Sequence, residues 1–221
     1  MFYKFLLVII FITLFWGETM GVEIKLEKPS LKGKLSVEEA IKDRQTIRSF
    51  KDKALSISQL SQLAWAAYGI THKGFYKTVP SAGALYPSDI FFIIGKGGVK
   101  GIEPGVYHYI PEGHLLKLIL SRDKREIVAR ASLSQMWMME APIMILITVE
   151  YRRVTRKYGE RGIRYAHIEA GHIGQNIFLQ AESLGLSCGI VGAFYDDKIK
   201  EVLNLPKNFE PLIIMPVGYK K

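Results

Sequence analysis

The segment that most limits how this chain can fold is RYAHIEAGHIGQNIFLQAESLG, residues 164–185. Its pattern predicts the longest helix of the chain, and apolar residues occur nearly all round it, so the helix must be covered on several sides. Gly171 and Gly174 lie inside this segment, although glycine costs stability in a helix interior. We therefore expect another backbone to approach closely there, and a partner subunit is one source of that backbone.

The remaining segments predict a mixture of strands and short helices. Residues 141–151, APIMILITVEY, are apolar and β-branched, which predicts a buried central strand. Ser36 and Glu39 have the spacing of a helix capping box, and Gly69 ends an amphipathic pattern as a C-cap does. Helices and strands follow one another without a regular β-α order, which favours an α+β sandwich. The other predicted elements are strands at 89–95, 105–110, 114–120 and 210–219, and helices at 35–44, 56–69 and 196–205.

The first 21 residues differ from the rest of the chain. One lysine precedes twelve uninterrupted apolar or threonine residues, 5–16, and small residues follow, which is the layout of a signal peptide. Twelve helical residues cover about 18 Å, against about 30 Å of hydrocarbon, so a cleaved leader or shallow anchor is favoured over a spanning helix. We expect an exported or membrane-anchored protein whose folded domain is residues 22–221. A translation start at Met20 is the alternative and implies a cytoplasmic protein.

Charge and cysteine content limit the ligands. The net charge of +9 at pH 7 favours an anionic ligand, an acidic surface or nucleic acid, although the charge is spread along the chain. The single cysteine, Cys188, excludes an internal disulfide and a zinc site built from several cysteines, so a buried thiol is expected. His167 and His172 lie about 140° apart around a helix, so no metal site is predicted for them with Glu169.

Residues 151–165, YRRVTRKYGERGIRY, mix basic with aromatic side chains. This pattern is suited to single-stranded nucleic acid, which it would bind through phosphates and base stacking. A solvated helical surface is the commoner explanation, and the wall of a site for an anionic cofactor or peptide is a third. Nucleic acid is therefore the less favoured partner.

Two short segments suit a phosphorylated planar cofactor. Arg44, Thr46 and Arg48, in DRQTIRSF, place two guanidinium groups around a hydroxyl, which suits a phosphomonoester. Residues 78–88, TVPSAGALYPS, hold small residues between two prolines, and such a strip exposes backbone amides to the edge of a flat heterocycle. A plain loop and an exposed helix end explain the same residues equally well.

Several motifs in one order give a more specific interpretation. DRQTIRSF, TVPSAGALYPSDIFFI, KYGERGIRYAHIEAGHIGQNIFLQAESLGL and PVGY resemble the SagB/ThcOx-type dehydrogenases of the FMN-dependent nitroreductase superfamily. The resemblance extends from about residue 35 to residue 219. It implies an α+β nitroreductase fold with a mixed or antiparallel sheet flanked by helices. It also implies a homodimer with FMN at its interface, in which the long central helix packs on its mate.

Positions that match the family's motifs supply the expected site residues. The resemblance implies a site for the FMN phosphate and ribityl chain at Arg44, Gln45, Thr46 and Arg48. It implies an isoalloxazine site lined by Pro80, Ser81, Ala82, Gly83 and Leu85. In CGIVGAF it implies backbone amides near the ring at Gly189, Val191 and Gly192. Longer members carry a basic residue beyond the last strand that also reaches the phosphate, and Lys220 and Lys221 are the candidates here.

Lys157 and Tyr158 stand where the family's azole-forming oxidases have a Lys-Tyr pair. Oxidation of a thiazoline to a thiazole removes a proton from carbon and a hydride to flavin N5, so a base beside the ring is useful. A lysine among so many arginines would give up its proton more readily in a dry site. Packing, or binding of the anionic flavin, is the alternative role for the pair.

The resemblance implies an FMN-dependent oxidoreductase that transfers a hydride through flavin N5, with NAD(P)H or an organic substrate as the electron donor. Oxidation of an azoline in a peptide is one expected activity, and NAD(P)H-dependent reduction of nitro compounds or quinones is the alternative. A non-catalytic flavin-binding or nucleic-acid-binding protein is a further alternative. The expected partners are a second copy of the chain and a small-molecule or peptide substrate, with membrane contact only through the N-terminal segment.

Overall fold

A seven-stranded sheet forms the centre of the computed structural model, which describes residues 22–221. Its spatial order is β1-β4-β3-β2-β5-β7-β6, and each neighbouring pair of strands is antiparallel. The strands are β1 (Glu23–Lys25), β2 (Ser88–Ile94), β3 (Gly105–Ile110), β4 (Leu115–Ser121), β5 (Ile143–Val149), β6 (Ser187–Cys188) and β7 (Glu210–Gly218).

Helices cover both faces of the sheet, as the predicted α+β sandwich requires. The long helix α5 and helix α2 pack on one face, and α3 and α6 pack on the other. The helices are α1 (Val37–Asp43), α2 (Ile57–Tyr68), α3 (Arg125–Ala131), α4 (Arg152–Tyr158), α5 (Arg161–Ser183) and α6 (Asp196–Val202). Short 3-10 turns occupy His72–Gly74, Ala82–Ala84 and Met136–Glu140.

Strand β5 is the buried central strand that its sequence predicts. It lies between β2 and β7, and all seven of its residues are buried. Ile145 and Ile147 face the core under α2 and α5, whereas Met144 and Leu146 face the core under α3 and α6. Both faces are apolar because helices cover both, which explains why the strand lacks the polar alternation of a half-exposed strand.

Helix α5 is buried on one side of the single chain and exposed on the other. Gly174 belongs to the buried side, because a Cβ built there would lie 3.7 Å from the sulfur of Met215 in β7. Gly171 belongs to the exposed side, where a built Cβ would meet nothing within 4 Å. Ile163 and Ile168 are also exposed on this helix. Gly174 is therefore in ordinary van der Waals contact with side chains of β7, and no other backbone among residues 22–221 makes the close approach expected there, while Gly171 faces open space.

The predicted leader, residues 1–21, and the alternative start at Met20 lie outside the residues that the structure describes. The expectation of an exported or membrane-anchored protein is wrong for the described chain. Within residues 22–221, no helix is both long and apolar enough to cross a bilayer. Helix α5 has the length, at 23 residues, but Arg161, Arg164, Glu169 and Glu182 place charges along it.

Candidate functional site

The strip, residues 78–88, holds an unusual backbone conformation. Gly83, Ala84 and Tyr86 all have positive φ, at 62°, 53° and 48°. Only glycine adopts this region readily, so the two other residues carry strain that their surroundings must offset. Ser81 supplies part of that support, because its hydroxyl accepts the Tyr86 N–H at 2.9 Å and its carbonyl accepts the Ala84 N–H at 3.0 Å. Strained backbone of this kind is typical of functional sites.

Some backbone N–H groups of the strip have no acceptor in the part of the chain that the structure describes. The amides of Ala84, Leu85 and Tyr86 donate within the strip, to the Ser81 carbonyl, the Ala82 carbonyl and the Ser81 hydroxyl. The amides of Ala82 and Gly83 have no acceptor among residues 22–221. Pro80 and Gly83 are exposed, and the side chains of Ala82 and Leu85 pack below, on a small core around Val149, Val154 and Ala166. The strip therefore carries N–H groups that are unused by the described residues, one of them on the exposed Gly83.

Lys157 and Tyr158 lie directly against Gly83. A Cβ built on Gly83 would lie 2.7 Å from the Tyr158 hydroxyl and 3.1 Å from Lys157 Nζ, too close for any larger residue without movement. Tyr158 is held by an edge-to-face contact with Tyr165, whose ring centroid is 5.2 Å away. The fold thus brings the predicted Lys-Tyr pair and the predicted isoalloxazine strip together, from segments more than seventy residues apart in the sequence.

The dry surroundings expected for Lys157 are absent from the single chain, where this lysine is exposed. A lysine with a lowered pKa lies on another side of the strip instead. Burial lowers the pKa of Lys77, whose Nζ lies 3.9 Å from the centroid of the Tyr68 ring. The Lys77 amide also donates to the Tyr86 hydroxyl at 3.1 Å. Sequence reasoning missed Lys77 because nothing in the pattern distinguishes it from a surface lysine.

The arginine segment, residues 44–48, pairs with the edge of the sheet. Thr46 forms a parallel bridge with Cys188, and the Ile47 amide donates to the Cys188 carbonyl at 2.9 Å. The guanidinium of Arg44 lies 5.1 Å from the Phe178 ring centroid, and that of Arg48 lies 5.8 Å from the Trp137 ring centroid. Neither arginine forms an ion pair with a carboxylate in the described part of the chain. Their charges remain available to an anion.

The C-terminal residues lie beside the arginine segment, and sequence reasoning left their place open. Lys220 forms an antiparallel bridge with Phe50, two residues beyond Arg48. Lys221 forms an ion pair with Glu140 at 2.9 Å, and the same Glu140 oxygen accepts the Phe50 amide at 3.0 Å. Lys221 is therefore paired with Glu140. Lys220 is exposed and lies close to the arginine segment.

The segment 189–192 is only partly available for a ligand. The amides of Gly189 and Val191 donate to the Pro216 and Ile214 carbonyls of β7, both at 2.8 Å, so they cannot also donate to a ring. Gly189 is explained by packing, because a Cβ built there would lie 2.8 Å from the Ile47 carbonyl oxygen. Gly192 is the exposed member of the three, and a Cβ built on it would meet nothing within 4 Å. Cys188 is fully buried, and burial raises the pKa of its thiol.

The two halves of the candidate site lie at opposite ends of the sheet in one chain. Ser88, at the end of the strip, pairs with Val149, which in turn pairs with Glu210 at the start of β7. The arginine segment pairs with Cys188, which pairs with Val217 near the end of β7. The seven steps from Glu210 to Val217 span about 24 Å of extended strand. The strip and the arginine segment are therefore separated by most of the length of the sheet.

Basic residues surround Lys157 on α4 and the first turns of α5. Arg152, Arg156, Arg161 and Arg164 are exposed, and within the described residues none of them forms an ion pair. The first turn of α5 contains no acidic residue, so Arg161 and Arg164 oppose the dipole of that helix, whereas Arg156 lies in the last turn of α4, where a cation is favourable. The side chains of His167, His172 and Glu169 do not converge on one point. His167 forms a hydrogen bond with the Tyr151 hydroxyl at 2.7 Å, and Glu169 is buried against α2. Among residues 22–221, no group of three or more His, Cys, Asp or Glu side chains could hold a metal ion.

A cavity of about 840 Å³ lies between residues 30–37, α2 and the C-terminal half of α5. Trp65, Leu179 and Leu184 are among its apolar lining residues. It reaches the first residue of the strip, Thr78, but neither Gly83 nor the Lys-Tyr pair lines it. The cavity and the candidate chemical centre are separate in the single chain.

Comparison with known proteins agrees with the fold. The profile of the nitroreductase family matches residues 41–219. A protein of Methanocaldococcus jannaschii named as a nitroreductase is 42% identical over 201 residues, which cover 91% of this chain and 99% of the relative. The microcin B17-processing protein McbC of Escherichia coli is 27% identical over 176 residues, 77% of this chain and 65% of McbC. A nitroreductase structure from Ralstonia eutropha superposes with a TM-score of 0.76 at 22% identity, covering 90% of each chain.

Proposed function

Because the chain belongs to the nitroreductase family, whose members are oxidoreductases, we propose that it is an FMN-dependent oxidoreductase that works as a homodimer. The observation that carries the proposal is the contact of Gly83 with Lys157 and Tyr158 beside two unused backbone amides. Members of the family generally bind FMN and use NAD(P)H. The finer assignment, to the SagB-type dehydrogenases, is part of the proposal.

The residues present fit the proposed cofactor. Arg44 and Arg48 have no carboxylate partner among residues 22–221, which suits a phosphate, and Gln45, Thr46 and Lys220 lie beside them. The amides of Ala82 and Gly83 are free donors for the polar edge of the isoalloxazine. Pro80, Ser81 and Leu85 complete the strip that would line the ring. Gly192 leaves open space where a planar group could lie.

A second copy of the chain is part of the proposal for a geometric reason. The strip and the arginine segment lie about 24 Å apart along β7, too far for one compact cofactor to contact both in a single chain. A two-fold symmetric dimer brings the strip of one chain to the arginine segment of the other. The exposed side of α5, with Gly171 open, supplies a surface on which two helices can approach closely.

Lys157 and Tyr158 would perform the proton chemistry. Bound FMN supplies a two-electron acceptor whose N5 takes a hydride. In the oxidation of an azoline to an azole, the ring loses one hydride and one proton, and in this proposal Lys157, which lies against Gly83, would take that proton. The Tyr158 hydroxyl, on the same side of Gly83, would orient the substrate heteroatom. A peptide substrate is supported by the likeness to a microcin-processing protein.

Replacement of Lys157 by Ala tests this role. We expect Lys157→Ala to retain FMN and to lose azoline oxidation by about 100-fold or more, the loss typical when a general base is removed. Lys198→Ala, an exposed lysine of α6, is the matched control and should leave turnover unchanged. The readout is the conversion of a thiazoline-containing peptide, followed by mass spectrometry. Undiminished turnover by Lys157→Ala would remove the base role.

Reduction of nitro compounds or quinones by NAD(P)H is the second candidate function, favoured by the name of the Methanocaldococcus jannaschii relative. Anaerobic mixing of the FMN-loaded protein with NADH or NADPH distinguishes the candidates. Bleaching of the flavin within seconds, followed by reoxidation with a quinone, supports the reductase. No bleaching by either nucleotide, together with bleaching by an azoline peptide, supports the dehydrogenase.

A further inference from the structure

A buried carboxylate of α5 holds the last residue of the strip. Glu169 is 2% exposed, and its Oε1 accepts the Ser88 hydroxyl at 2.8 Å and the Tyr68 hydroxyl at 2.7 Å. The Tyr68 hydroxyl in turn accepts the Ser88 amide at 3.2 Å. Burial, followed by the nearby charge of Glu169, raises the pKa of Tyr68, so this phenol remains protonated and able to donate. Ser88 is thus fixed through both its side chain and its backbone.

A second polar residue of α5 holds the first residue of the strip. The Asn176 side-chain amide donates to the Thr78 carbonyl and to the Ala66 carbonyl of α2, each at 3.1 Å. The Thr78 amide also donates to the Gly69 carbonyl at 2.9 Å. The beginning of the strip is therefore tied both to α2 and to α5.

The two contacts are spaced so that one rigid element sets the ends of the strip. Glu169 and Asn176 are seven residues apart, which is two turns and about 10.5 Å along a helix. The eleven residues from Thr78 to Ser88 could extend to about 35 Å, so fixed ends force them into a compact loop. The positive φ angles at Gly83, Ala84 and Tyr86 occur within that loop.

We propose that Glu169 and Asn176 are positioning residues that hold the strip in its strained, reactive conformation by fixing its two ends to α5. The inference rests on the proposed function in one respect, that the strip is the FMN-binding segment. A buried carboxylate costs folding free energy unless its partners satisfy it, and Glu169 Oε2 has no hydrogen-bond partner among residues 22–221. What Glu169 contributes to the geometry of the strip is its Oε1 acceptor, which binds the hydroxyls of Ser88 and Tyr68.

The test compares two amide side chains on α5 that both bond to α2. Asn176→Ala removes bonds to α2 and to the strip, whereas Gln180→Ala removes only a 3.0 Å bond from Gln62 of α2. We expect Asn176→Ala to raise the dissociation constant for FMN about tenfold and to shift the visible absorption maximum of the bound flavin. Gln180→Ala should change the dissociation constant by less than about twofold. Equal effects of the two variants would overturn the proposal.

The Glu169 end is tested by a conservative and a disruptive change. Glu169→Gln keeps an acceptor at Oε1, so FMN affinity should stay within about threefold of wild type. Ser88→Ala removes the direct bond between Glu169 and the strip and leaves only the indirect link through Tyr68, so it should weaken FMN binding about tenfold. If Asn176→Ala does not fold, Ser88→Ala carries the test. A wild-type affinity for Ser88→Ala would contradict the role of Glu169.

Hydrogen exchange in flavin-free protein separates this inference from the proposed function. The amides of Ala84, Leu85 and Tyr86 should exchange at least about tenfold faster in Asn176→Ala or Ser88→Ala than in wild type or Gln180→Ala. If wild type binds no FMN but this difference is found, the proposed function fails and the strip is still held by α5. If wild type binds FMN and the exchange rates are equal, the positioning role fails alone.

Discussion

At the scale of single residues, Gly83 is where the strip, the lysine and the tyrosine meet. Its φ of 62° favours glycine, and its missing side chain leaves room for the Tyr158 hydroxyl and Lys157 Nζ. Gly97 is a useful comparison, because it has a φ of 66° and a Cβ built there would meet nothing within 4 Å. The two glycines share a positive φ angle and differ in the atoms that surround them.

That comparison gives the first prediction. Gly83→Ala and Gly97→Ala should each lower the free energy of unfolding by about 1 kcal/mol, because alanine is strained at positive φ. Only Gly83→Ala should displace Tyr158 and Lys157, and we expect FMN affinity and turnover to fall about tenfold or more. Chemical denaturation and FMN titration of both variants make the measurement. Equal losses of FMN affinity would show that the contact has no role in binding.

Glu140 gives a pH-dependent prediction. Hydrogen bonds from Lys221 and the Phe50 amide lower the pKa of Glu140. A carboxylate with a lowered folded-state pKa stabilises the fold above its unfolded pKa of about 4.3, and this contribution is lost as the pH falls through the folded value. Glu140→Gln should therefore unfold at a lower temperature than wild type above about pH 6. The difference should shrink steadily below about pH 4.3.

Thermal denaturation at low salt across that pH range provides the measurement. Glu201→Gln, an exposed carboxylate of α6, is the control and should differ little from wild type at any pH. Because Glu140 is partly exposed, added salt should reduce its effect. A wild-type advantage that grows toward acid pH would contradict the assigned direction.

Sequence reasoning identified several special residues correctly, but it did not identify the structural role that each of them has. It placed Gly69 correctly as the C-cap of α2, but a φ of −67° needs no glycine, and the reason for the glycine is that a Cβ there would meet the Trp65 side chain. It expected the Gly189 and Val191 amides to face the ring, but β7 already uses both. Such reasons depend on a segment distant in the sequence, which local pattern does not reveal.

At the scale of helices and strands, local signals predicted most of what forms. The Ser36–Glu39 capping box is present at α1, with bonds of 3.1 Å and 2.7 Å. Strand β1 and helices α3 and α4 escaped prediction, and the start of α5 was misplaced. The segment 151–165 contains a separate helix, α4, that ends at Gly159, and α5 begins three residues before the predicted boundary. The break depends on Gly159 at φ 57°, and basic residues on both sides of it hide the change of direction from a pattern search.

The charge on α4 and α5 gives a prediction at this scale. Exposed arginines without acidic partners should attract anions to the region around Lys157. With reduced FMN bound, we expect ferricyanide to reoxidise the protein faster at low ionic strength, and a neutral quinone to be insensitive to salt. Arg156→Glu should slow the ferricyanide reaction by about 3- to 10-fold, and Lys198→Glu should not. Stopped-flow absorbance measures both rates, and an equal effect of the two variants would contradict local steering.

At the scale of the whole molecule, the α+β sandwich with its central sheet could be predicted, but the distribution of the site could not. The sequence indicates two cofactor-binding segments without saying that one chain holds them at opposite ends of the sheet. That separation follows from which strand ends pair, because the start of β2 lies beside the end of β5 and the start of β7, whereas β6 pairs with the end of β7. Strand order depends on pairings between distant segments, which single-sequence patterns do not specify.

Subunit complementation tests whether each site is shared between two chains. One variant carries Arg44→Ala and Arg48→Ala, and the other carries Gly83→Ala, so each alone should bind FMN poorly. In a mixture of exchanged dimers, about half are mixed, and each of these has one intact site, so about a quarter of all sites should recover. FMN titration before and after exchange makes the measurement. No recovery, with exchange verified by mass, would place all contacts within one chain.

The most direct test of the central claim is the visible absorption spectrum of the purified protein, followed by chromatography of whatever cofactor heat releases. We predict flavin bands in the spectrum and released FMN close to one molecule per chain. A colourless protein that also takes up no added FMN would contradict the proposed function, and the strip and the arginine segment would then require another ligand.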